Sequence, residues 1–230
     1  MKIGLAAFKV KDITYDLNKI HAAIKDTDAE ILIFPEAYLQ GFCAMTFDLD
    51  HDLKIAKDID DHIFVELKEL TQRYHKALVI PYFEKDGEDI YSSCAFIAYG
   101  EILYNYRRMS DGWKIKEAPK NYKEGDSSSS IIYKGREFKI ALCGDMFTDT
   151  RPYKTSGILI WPIYVNFDIV TFERSKSEYI QKANEASKDV LIVNALDDDP
   201  IAHGGAFYIK DGKLEKCLPY DEEDILIIDI

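Results

Sequence analysis

Hydrophobic and polar residues follow two different periods along this chain. Residues 2–10 form an apolar run typical of a strand, and apolar residues then recur at steps of four, three and four from Ile13 to Ile24, as on one face of a helix. Residues 31–34 form a second run with no polar face, which is typical of a strand covered on both sides. This order predicts a β-α-β unit.

Further along the chain, a second helix is predicted over residues 60–75 and a third over residues 172–187. Most of the other apolar runs are short and are joined by glycine-containing turn sequences, which are typical of hairpins. These turns are centred on Gly87, Gly100, Gly135 and Gly212. Strands that pair in hairpins, with helices interspersed, predict an α/β sandwich in which each sheet has one face covered by helices.

Composition narrows the class of protein. With 230 residues, 47% of them hydrophobic, the chain is long enough for one well-buried core and short for two ordinary domains. No linker or internal repeat divides it, so we expect a single domain over residues 1–230. The net charge of -12, without clusters of lysine or arginine, argues against nucleic acid or an anionic membrane as a partner. The expected ligand is a small molecule.

The amino terminus and the cysteines bear on location and on metal binding. Residues 1–10 lack the apolar core and cleavage site of a signal peptide, and no apolar stretch approaches the ~18 residues that suggest a membrane span, so we expect a cytoplasmic protein. Cys43, Cys94, Cys143 and Cys217 are far apart and form no CxxC motif. This spacing predicts free thiols, with neither a disulfide framework nor a structural metal.

Three segments carry residues suited to chemistry. Glu36 in FPEAYLQGF directly follows the second apolar run, so its carboxylate is expected at the carboxyl end of a strand, where ligands bind in open α/β sheets. Cys143 in ALCGDMF ends another apolar strand, and Gly144 after it leaves room for backbone N–H groups to approach an oxyanion. In YNYRRMS, Arg107 and Arg108 lie on a strand, and strand alternation lets only one of them point inward.

Each of these residues also has a structural interpretation. Most glutamates are exposed, and Glu36 taken alone is more typical of a solvated loop. A free cysteine such as Cys143 is commonly buried as a small hydrophobic residue. No GxSxG, GxGxxG or Walker sequence is present, so serine-hydrolase, dinucleotide and phosphate-loop chemistry have no support.

Taken together and in this order, the three segments resemble the nitrilase superfamily of carbon-nitrogen hydrolases. That family carries a glutamate in a PE motif, a lysine in a YRK motif and a cysteine in a CxD-like motif after a strand. Here Glu36 and Cys143 match, while Arg108 stands in the place of lysine. The closing pattern, GGAFYIKDGKLEK followed by EDILIIDI, extends the resemblance over nearly the whole chain. The resemblance implies a four-layer αββα sandwich, a homodimer and hydrolysis of a non-peptide C–N bond.

In such a family the cysteine thiol attacks an amide or nitrile carbon, which implies a thioester on Cys143 with Glu36 as general base and acid. The resemblance assigns the oxyanion to the lysine position, here Arg108. A second, supporting glutamate best matches Glu117, with Glu124 or the lack of a second glutamate as the alternatives. Lys114 is a further cation in this loop. The implied substrate is a small aliphatic or carbamoyl amide, and the resemblance calls for neither a metal nor a cofactor.

The arginine leaves two functions open. A guanidinium is a planar fork that stays charged, so it could hold an oxyanion, or it could form a bidentate pair with Glu36 or Glu117 that weakens turnover. The first hypothesis is therefore an amidase, with acyl transfer from the same thioester as a variant. The second is a weak or inactive relative that binds a small carboxylate or amide metabolite or serves as a scaffold. Three aromatic residues near the motifs either line the site or only pack against it, and these are Tyr38, Trp113 and Tyr164.

Overall fold

The computed structural model describes residues 1–230, which form two large β-sheets with helices on their outer faces. In chain order the strands are β1 (Lys2–Ala7), β2 (Ile31–Ile33), β3 (Ala77–Asp86), β4 (Asp89–Ala98), β5 (Glu101–Arg107), β6 (Tyr122–Lys123), β7 (Ile131–Tyr133), β8 (Arg136–Ile140), β9 (Ile158–Ile163), β10 (Asp189–Asn194), β11 (Leu196–Asp198), β12 (Ile201–His203), β13 (Ala206–Lys210), β14 (Lys213–Leu218) and β15 (Asp224–Asp229). The α-helices are α1 (Ile13–Asp26), α2 (Leu49–Ile55), α3 (His62–Tyr74), α4 (Asp145–Thr148) and α5 (Ile169–Ala186).

Aspartate side chains fix where the longer helices begin. Asp12 accepts hydrogen bonds from the backbone N–H groups of Thr14 and Tyr15 at the start of α1, at 3.0 and 2.9 Å. Asp61 and Asp168 cap α3 and α5 in the same way. These N–H groups have no partner inside the helix, so each cap stabilises its helix by about 0.5–2 kcal/mol.

The order of strands brings the carboxyl ends of parallel strands from each sheet close to one another. The first sheet has the order β15-β1-β2-β3-β4-β5, with β6 on β4, and β1, β2 and β3 run parallel. Because α1 connects β1 to β2, the predicted β-α-β unit is confirmed. The second sheet has the order β14-β13-β10-β9-β8-β7, with β8, β9 and β10 parallel. The predicted hairpins join β3 to β4, β4 to β5, β7 to β8 and β13 to β14.

The two sheets pack face to face. A cluster of 39 buried hydrophobic residues takes side chains from both sheets and from α5, and the rings of Phe96 in β4 and Phe138 in β8 lie 5.8 Å apart. On its other face, the first sheet packs against α1 and α3 through a second cluster of 23 residues. Helix α5 covers the second sheet, where Tyr179 stacks on Trp161 at 5.3 Å. The four-layer αββα sandwich is confirmed.

Some elements differ from the sequence pattern. Helix α2 and the hairpin of β11 and β12 were not predicted, and α5 begins at Ile169 rather than at residue 172. The first strand ends at Ala7 rather than at Val10, because the N–H of Val10 donates to the carbonyl of Leu196 at 2.8 Å instead of continuing the first sheet. None of the helices is long and apolar enough to cross a membrane.

Candidate active site

Glu36 lies in the buried turn that follows β2. Its side chain is 1% exposed, and its backbone N–H donates to the carbonyl of Ile163 in β9 at 3.4 Å. This hydrogen bond ties the end of a strand in the first sheet to a strand in the second. The next residue, Ala37, has a φ of 54°, in the left-handed region that turns the chain sharply. The carboxylate is therefore fixed where the two sheets meet.

Arg108 follows β5 and brings its guanidinium to Glu36. Its Nη1 donates to Oε1 of Glu36 at 2.7 Å, and its Nε donates to Oγ of Ser110 at 2.8 Å. One hydrogen bond joins the two side chains rather than two parallel ones. As a result, Oε2 of Glu36 is buried without a hydrogen-bond partner, and Nη2 of Arg108 has no acceptor in the protein.

Arg107 points to the opposite face of the strand, as strand alternation predicts. Its Nη2 donates to Oε1 of Glu84 at 2.6 Å and its Nε to Oε2 at 3.1 Å, while the guanidinium stacks on the ring of Tyr91 at 3.9 Å. These contacts hold Arg107 away from Glu36, so Arg108 alone joins the site.

Cys143 follows β8, at the carboxyl end of a parallel strand in the second sheet. Its φ of 40° lies in the left-handed region, which costs about 1–3 kcal/mol for a residue other than glycine. Two hydrogen bonds of 2.9 Å hold this turn, one from its N–H to the carbonyl of Pro162 and one from Nε1 of Trp161 to its carbonyl. The residue is partly exposed, and its Sγ lies 3.8 Å from the carbonyl oxygen of Tyr164. The surrounding bonds therefore stabilise a strained turn that presents the thiol.

Two glycines make room for the guanidinium beside the thiol. A Cβ added to Gly144 would lie 2.6 Å from Nη2 of Arg108, closer than real atoms approach, and a Cβ added to Gly112 would lie 3.3 Å from the same nitrogen. Nη2 is therefore held between these glycines, and Gly144 directly follows Cys143. The backbone N–H of Gly144 also has no hydrogen-bond partner.

Asp145 ties the two halves of the site together. Its buried carboxylate accepts hydrogen bonds from the N–H groups of the two residues that follow the arginine, Met109 at 3.1 Å and Ser110 at 2.8 Å. It also accepts from the N–H of Leu142, which precedes the cysteine, at 2.8 Å, and from the hydroxyl of Tyr106 at 2.7 Å. The sequence identifies this aspartate only as part of a motif, because its partners on the arginine segment lie 35 and 36 residues away.

Burial and charge set the protonation of the site. Burial raises the pKa of Glu36 above its usual range, while the charge of Arg108 and a contact with the thiol of Cys143 oppose the rise. Burial also raises the pKa of Cys143 to about 12, with the charge of Glu36 adding to the rise and Arg108 opposing it. The thiol is therefore protonated at neutral pH, and a thiolate would form there only if a base took its proton.

Glu117 lies apart from this cluster. It is exposed in the loop between β5 and β6, and its side chain makes no hydrogen bond or ion pair. The alternative glutamate, Glu124, pairs with Nζ of Lys114 at 2.5 Å. The structure does not bring either glutamate to Glu36 or Arg108, so a second glutamate in the site stays a prediction.

The aromatic residues near the motifs differ in what they contact. Tyr38 and Trp113 are packed in the interior, at 0% and 2% exposure. Tyr164 touches the thiol of Cys143 through its backbone carbonyl, and its hydroxyl donates to Oδ2 of Asp197 at 2.9 Å. No group of three or more His, Cys, Asp and Glu side chains is placed to hold a metal ion.

The sandwich fold, with a glutamate, a cation and a cysteine thiol gathered where its two sheets meet, defines a protein of the nitrilase superfamily. A family profile described as Carbon-nitrogen hydrolase matches residues 3–156, which is more than half of the chain. The chain therefore belongs to the carbon-nitrogen hydrolase family.

Relatives support this assignment. A citrullinase from Francisella tularensis subsp. tularensis is 28% identical over 233 residues, which cover 91% of this chain and 79% of that protein. A CN-hydrolase superfamily protein from Xanthomonas campestris superposes with a TM-score of 0.81 at 15% identity, covering 99% and 89% of the two chains. A mutant of the amidase from Nesterenkonia sp. AN1 superposes with a TM-score of 0.79 at 16% identity, covering 100% and 93%. At these identities the structural matches establish the fold alone.

Proposed function

We propose that this protein hydrolyses a non-peptide C–N bond in a small aliphatic or carbamoyl amide, through a thioester on Cys143. The observation that carries the proposal is the buried Oε2 of Glu36, which has no hydrogen-bond partner while Oε1 is held by Arg108. An unpaired buried acceptor is unfavourable by about 1–3 kcal/mol, and it therefore calls for a functional explanation. We assign to this oxygen the proton of the thiol.

Attack begins when Sγ gives its proton to Glu36 and forms a bond to the amide carbon. Negative charge then develops on the carbonyl oxygen. Two donors without an acceptor in the protein belong to this part of the site, Nη2 of Arg108 and the backbone N–H of Gly144. A fixed donor to such an oxyanion is worth about 2.7–4 kcal/mol in the transition state.

The second half of the cycle also runs through Glu36. As the C–N bond breaks, Glu36 returns the proton to the leaving nitrogen, and ammonia departs. The raised pKa of this carboxyl suits that step, because a group that keeps its proton closer to neutral pH is a better general acid. Water then attacks the thioester and gives a proton to Glu36, and Glu36 returns this proton to Sγ as the C–S bond breaks, which releases the acid and restores the free thiol. Acyl transfer differs only in the acceptor that replaces water.

The substrate class is supported by the relatives. One of them is named a citrullinase and another an amidase, and a carbamoyl or aliphatic amide is a substrate that fits both names. The proposal extends that class to this chain.

The test is ammonia release from a panel of acetamide, propionamide, L-glutamine and L-citrulline. We expect at least one of them to be hydrolysed, with an acyl adduct on the Cys143 peptide by mass spectrometry. Activity and adduct are expected to disappear in Cys143→Ala and to remain in Cys217→Ala, where an exposed cysteine is removed. Ammonia release that survives Cys143→Ala would overturn the proposal.

The alternative function, an inactive relative that binds a small carboxylate or amide, is favoured by one observation. Arg108 keeps its charge and pairs with Glu36, an arrangement that holds a ligand without requiring turnover. Calorimetry on the same panel separates the two functions. Heat of binding without ammonia and without an adduct on Cys143 would select the binding protein.

A further inference from the structure

A cavity of about 460 Å³ lies outside the candidate active site. It is formed by the segment before α1, the segment after Gly41, the end of α2 and the hairpin of β11 and β12. Glu36, Arg108 and Cys143 are not among its lining residues. Its volume falls in the range of about 300–1,000 Å³ that is usual for small-molecule sites.

The cavity presents charges of both signs that do not neutralise one another. Three lysines and three aspartates line it, and no ion pair joins any of these lysines to any of these aspartates. They are Lys11, Lys54, Lys57, Asp12, Asp197 and Asp199. Opposite charges that face one cavity without pairing leave space between them for a ligand that carries both.

Among these charged side chains, Lys54 and Asp199 have no partner in the protein. Lys54 takes part in no ion pair or hydrogen bond, and the carboxylate of Asp199 accepts none. Asp12, by contrast, is already used to cap α1. One cation and one anion are therefore available to a ligand at no cost to the fold.

We propose that this cavity binds a small zwitterion such as an α-amino acid, with its carboxylate at Lys54 and its ammonium group at Asp199. The apolar side chains of Val10 and Ile55 also line the cavity and suit the carbon chain of the ligand. Lys54 and Asp199 are both exposed, so a molecule with one charge would form one charge-assisted contact in the cavity, whereas a zwitterion would form two. The cavity therefore selects molecules with both charges.

Tyr164 lies between this cavity and the thiol. Its hydroxyl donates to Asp197 in the cavity wall at 2.9 Å, its ring stacks on Phe42 at 4.6 Å, and its carbonyl oxygen lies 3.8 Å from Sγ of Cys143. The zwitterion is therefore either the distal end of a substrate that reaches the thiol or a separate small ligand. Both have the same chemistry at the cavity, and the experiment distinguishes them.

The rate of alkylation of Cys43 reports whether the cavity is occupied, because this cysteine is exposed and lines the cavity. Alkylation of Cys43 and Cys143 by iodoacetamide is followed by peptide mapping, with L-glutamine or L-citrulline as zwitterions and butyrate or butylamine as singly charged comparisons. We expect the zwitterions to slow alkylation of Cys43 several-fold and the singly charged molecules to leave it unchanged. Asp199→Asn and Lys54→Gln should each weaken the protection about tenfold, as expected for loss of one charge-assisted contact. Asp198→Asn, next in the chain and outside the lining, should not.

The pattern of protection shows whether the zwitterion is part of a substrate or a separate ligand. Protection of both thiols by one molecule identifies the distal end of a substrate, and protection of Cys43 alone identifies a separate ligand. Equal protection by butyrate or butylamine, or protection that survives both Asp199→Asn and Lys54→Gln, would overturn the proposal. Failure of the amidase test does not affect this result, because Cys43 rather than ammonia reports it.

Discussion

Nη1 of Arg108 donates to Oε1 of Glu36 at 2.7 Å and leaves Oε2 of the same carboxylate without a partner. A bidentate pair would have engaged both oxygens and left no acceptor for the thiol proton. The single hydrogen bond therefore keeps an acid-base mechanism available in a chain that has arginine where the resemblance places lysine.

Replacing Glu36 with glutamine is expected to affect the thiol and the turnover in opposite directions. The carboxylate raises the pKa of Cys143 and Arg108 lowers it, so Glu36→Gln removes the first effect and keeps the second. The pKa of the thiol should fall below about 12, and alkylation of Cys143 by iodoacetamide near neutral pH should become faster. Ammonia release should fall at least ~10²-fold, because the base is lost.

The matched control for this variant is Glu101→Gln, at an exposed position in β5. It should change neither the alkylation profile nor the turnover. Full turnover in Glu36→Gln would mean that another group accepts the thiol proton.

Replacing Arg108 with lysine is expected to lower kcat/KM by about 10²–10³-fold. The guanidinium donates to Glu36 and to Ser110 and keeps Nη2 free between Gly112 and Gly144, whereas an ammonium group is one nitrogen that cannot reach all three places. Steady-state kinetics on an amide substrate measures the change.

Arg107→Lys, on the opposite face of the strand, is the control and should keep most of the activity. If Arg108→Lys instead raised turnover, arginine would be a defect in the site rather than the residue on which it depends.

Replacing Asp145 with asparagine is expected to destabilise the protein and to loosen the site together. The carboxylate accepts four hydrogen bonds, three of them from backbone N–H groups, and an amide offers one acceptor oxygen and an NH₂ group that faces those donors. We expect a loss of about 2–4 kcal/mol in the free energy of unfolding by urea. Asp111→Asn, at an exposed position, is the control, and equal stability of the two variants would contradict the prediction.

The sequence predicts those elements of the fold that are determined by contacts between residues close together in the chain. The β-α-β unit was predictable because Ile20 and Ile24 in α1 and the apolar run of β2 carry their own periods. Helix α2 was not, because its seven residues are mostly polar and its position depends on Asp52. The carboxylate of Asp52 accepts from the N–H of Phe47 nearby and from the hydroxyl of Tyr122, 70 residues away.

The candidate site likewise has residues that the local sequence predicts and features that only the folded chain brings together. Glu36 and Cys143 were identifiable because each follows an apolar strand, and the ends of such strands are positions where a sheet exposes side chains to ligands. The position of Nη2 of Arg108 between Gly112 and Gly144 was not predictable, because it depends on two segments that meet only in the folded chain. The spacing that suggested Glu117 comes from one loop, and loop spacing does not determine which way a side chain points.

Glu117→Gln tests that suggestion directly. Because the side chain is exposed and has no partner, we expect kcat/KM to change by less than about twofold. Glu124→Gln, which breaks the ion pair with Lys114, is the comparison for loop structure. A loss of turnover in Glu117→Gln alone, with unchanged stability, would assign Glu117 to the site in the working enzyme.

The buried carboxyl group of Asp16 is expected to make the free energy of unfolding depend on pH. Burial raises its pKa from the usual 3.8 to about 8, although a hydrogen bond from the N–H of Lys11 opposes the rise. Between these values the unfolded chain is ionised and the folded chain is protonated, so stability falls as pH rises from about 4 to about 8 and is level above that.

Asp16→Asn removes the ionisation and should be more stable than the unsubstituted protein by about 1–3 kcal/mol near pH 8, with the gap closing toward pH 4. Urea unfolding at both pH values measures this, and Asp60→Asn at an exposed position is the control. A constant difference across pH would contradict the assignment to Asp16.

Glu36 and Arg108 come from the first sheet, Cys143 comes from the second, and Asp145 accepts from both sides. Chemical competence is therefore a property of the contact between the sheets rather than of either sheet. A state in which the layers slide apart would keep its backbone hydrogen bonds and its circular dichroism, yet it would no longer hold the thiol of Cys143 next to the carboxylate of Glu36. Substitutions at Phe96 or Phe138, which touch no reacting atom, should accordingly change catalysis before they change secondary structure.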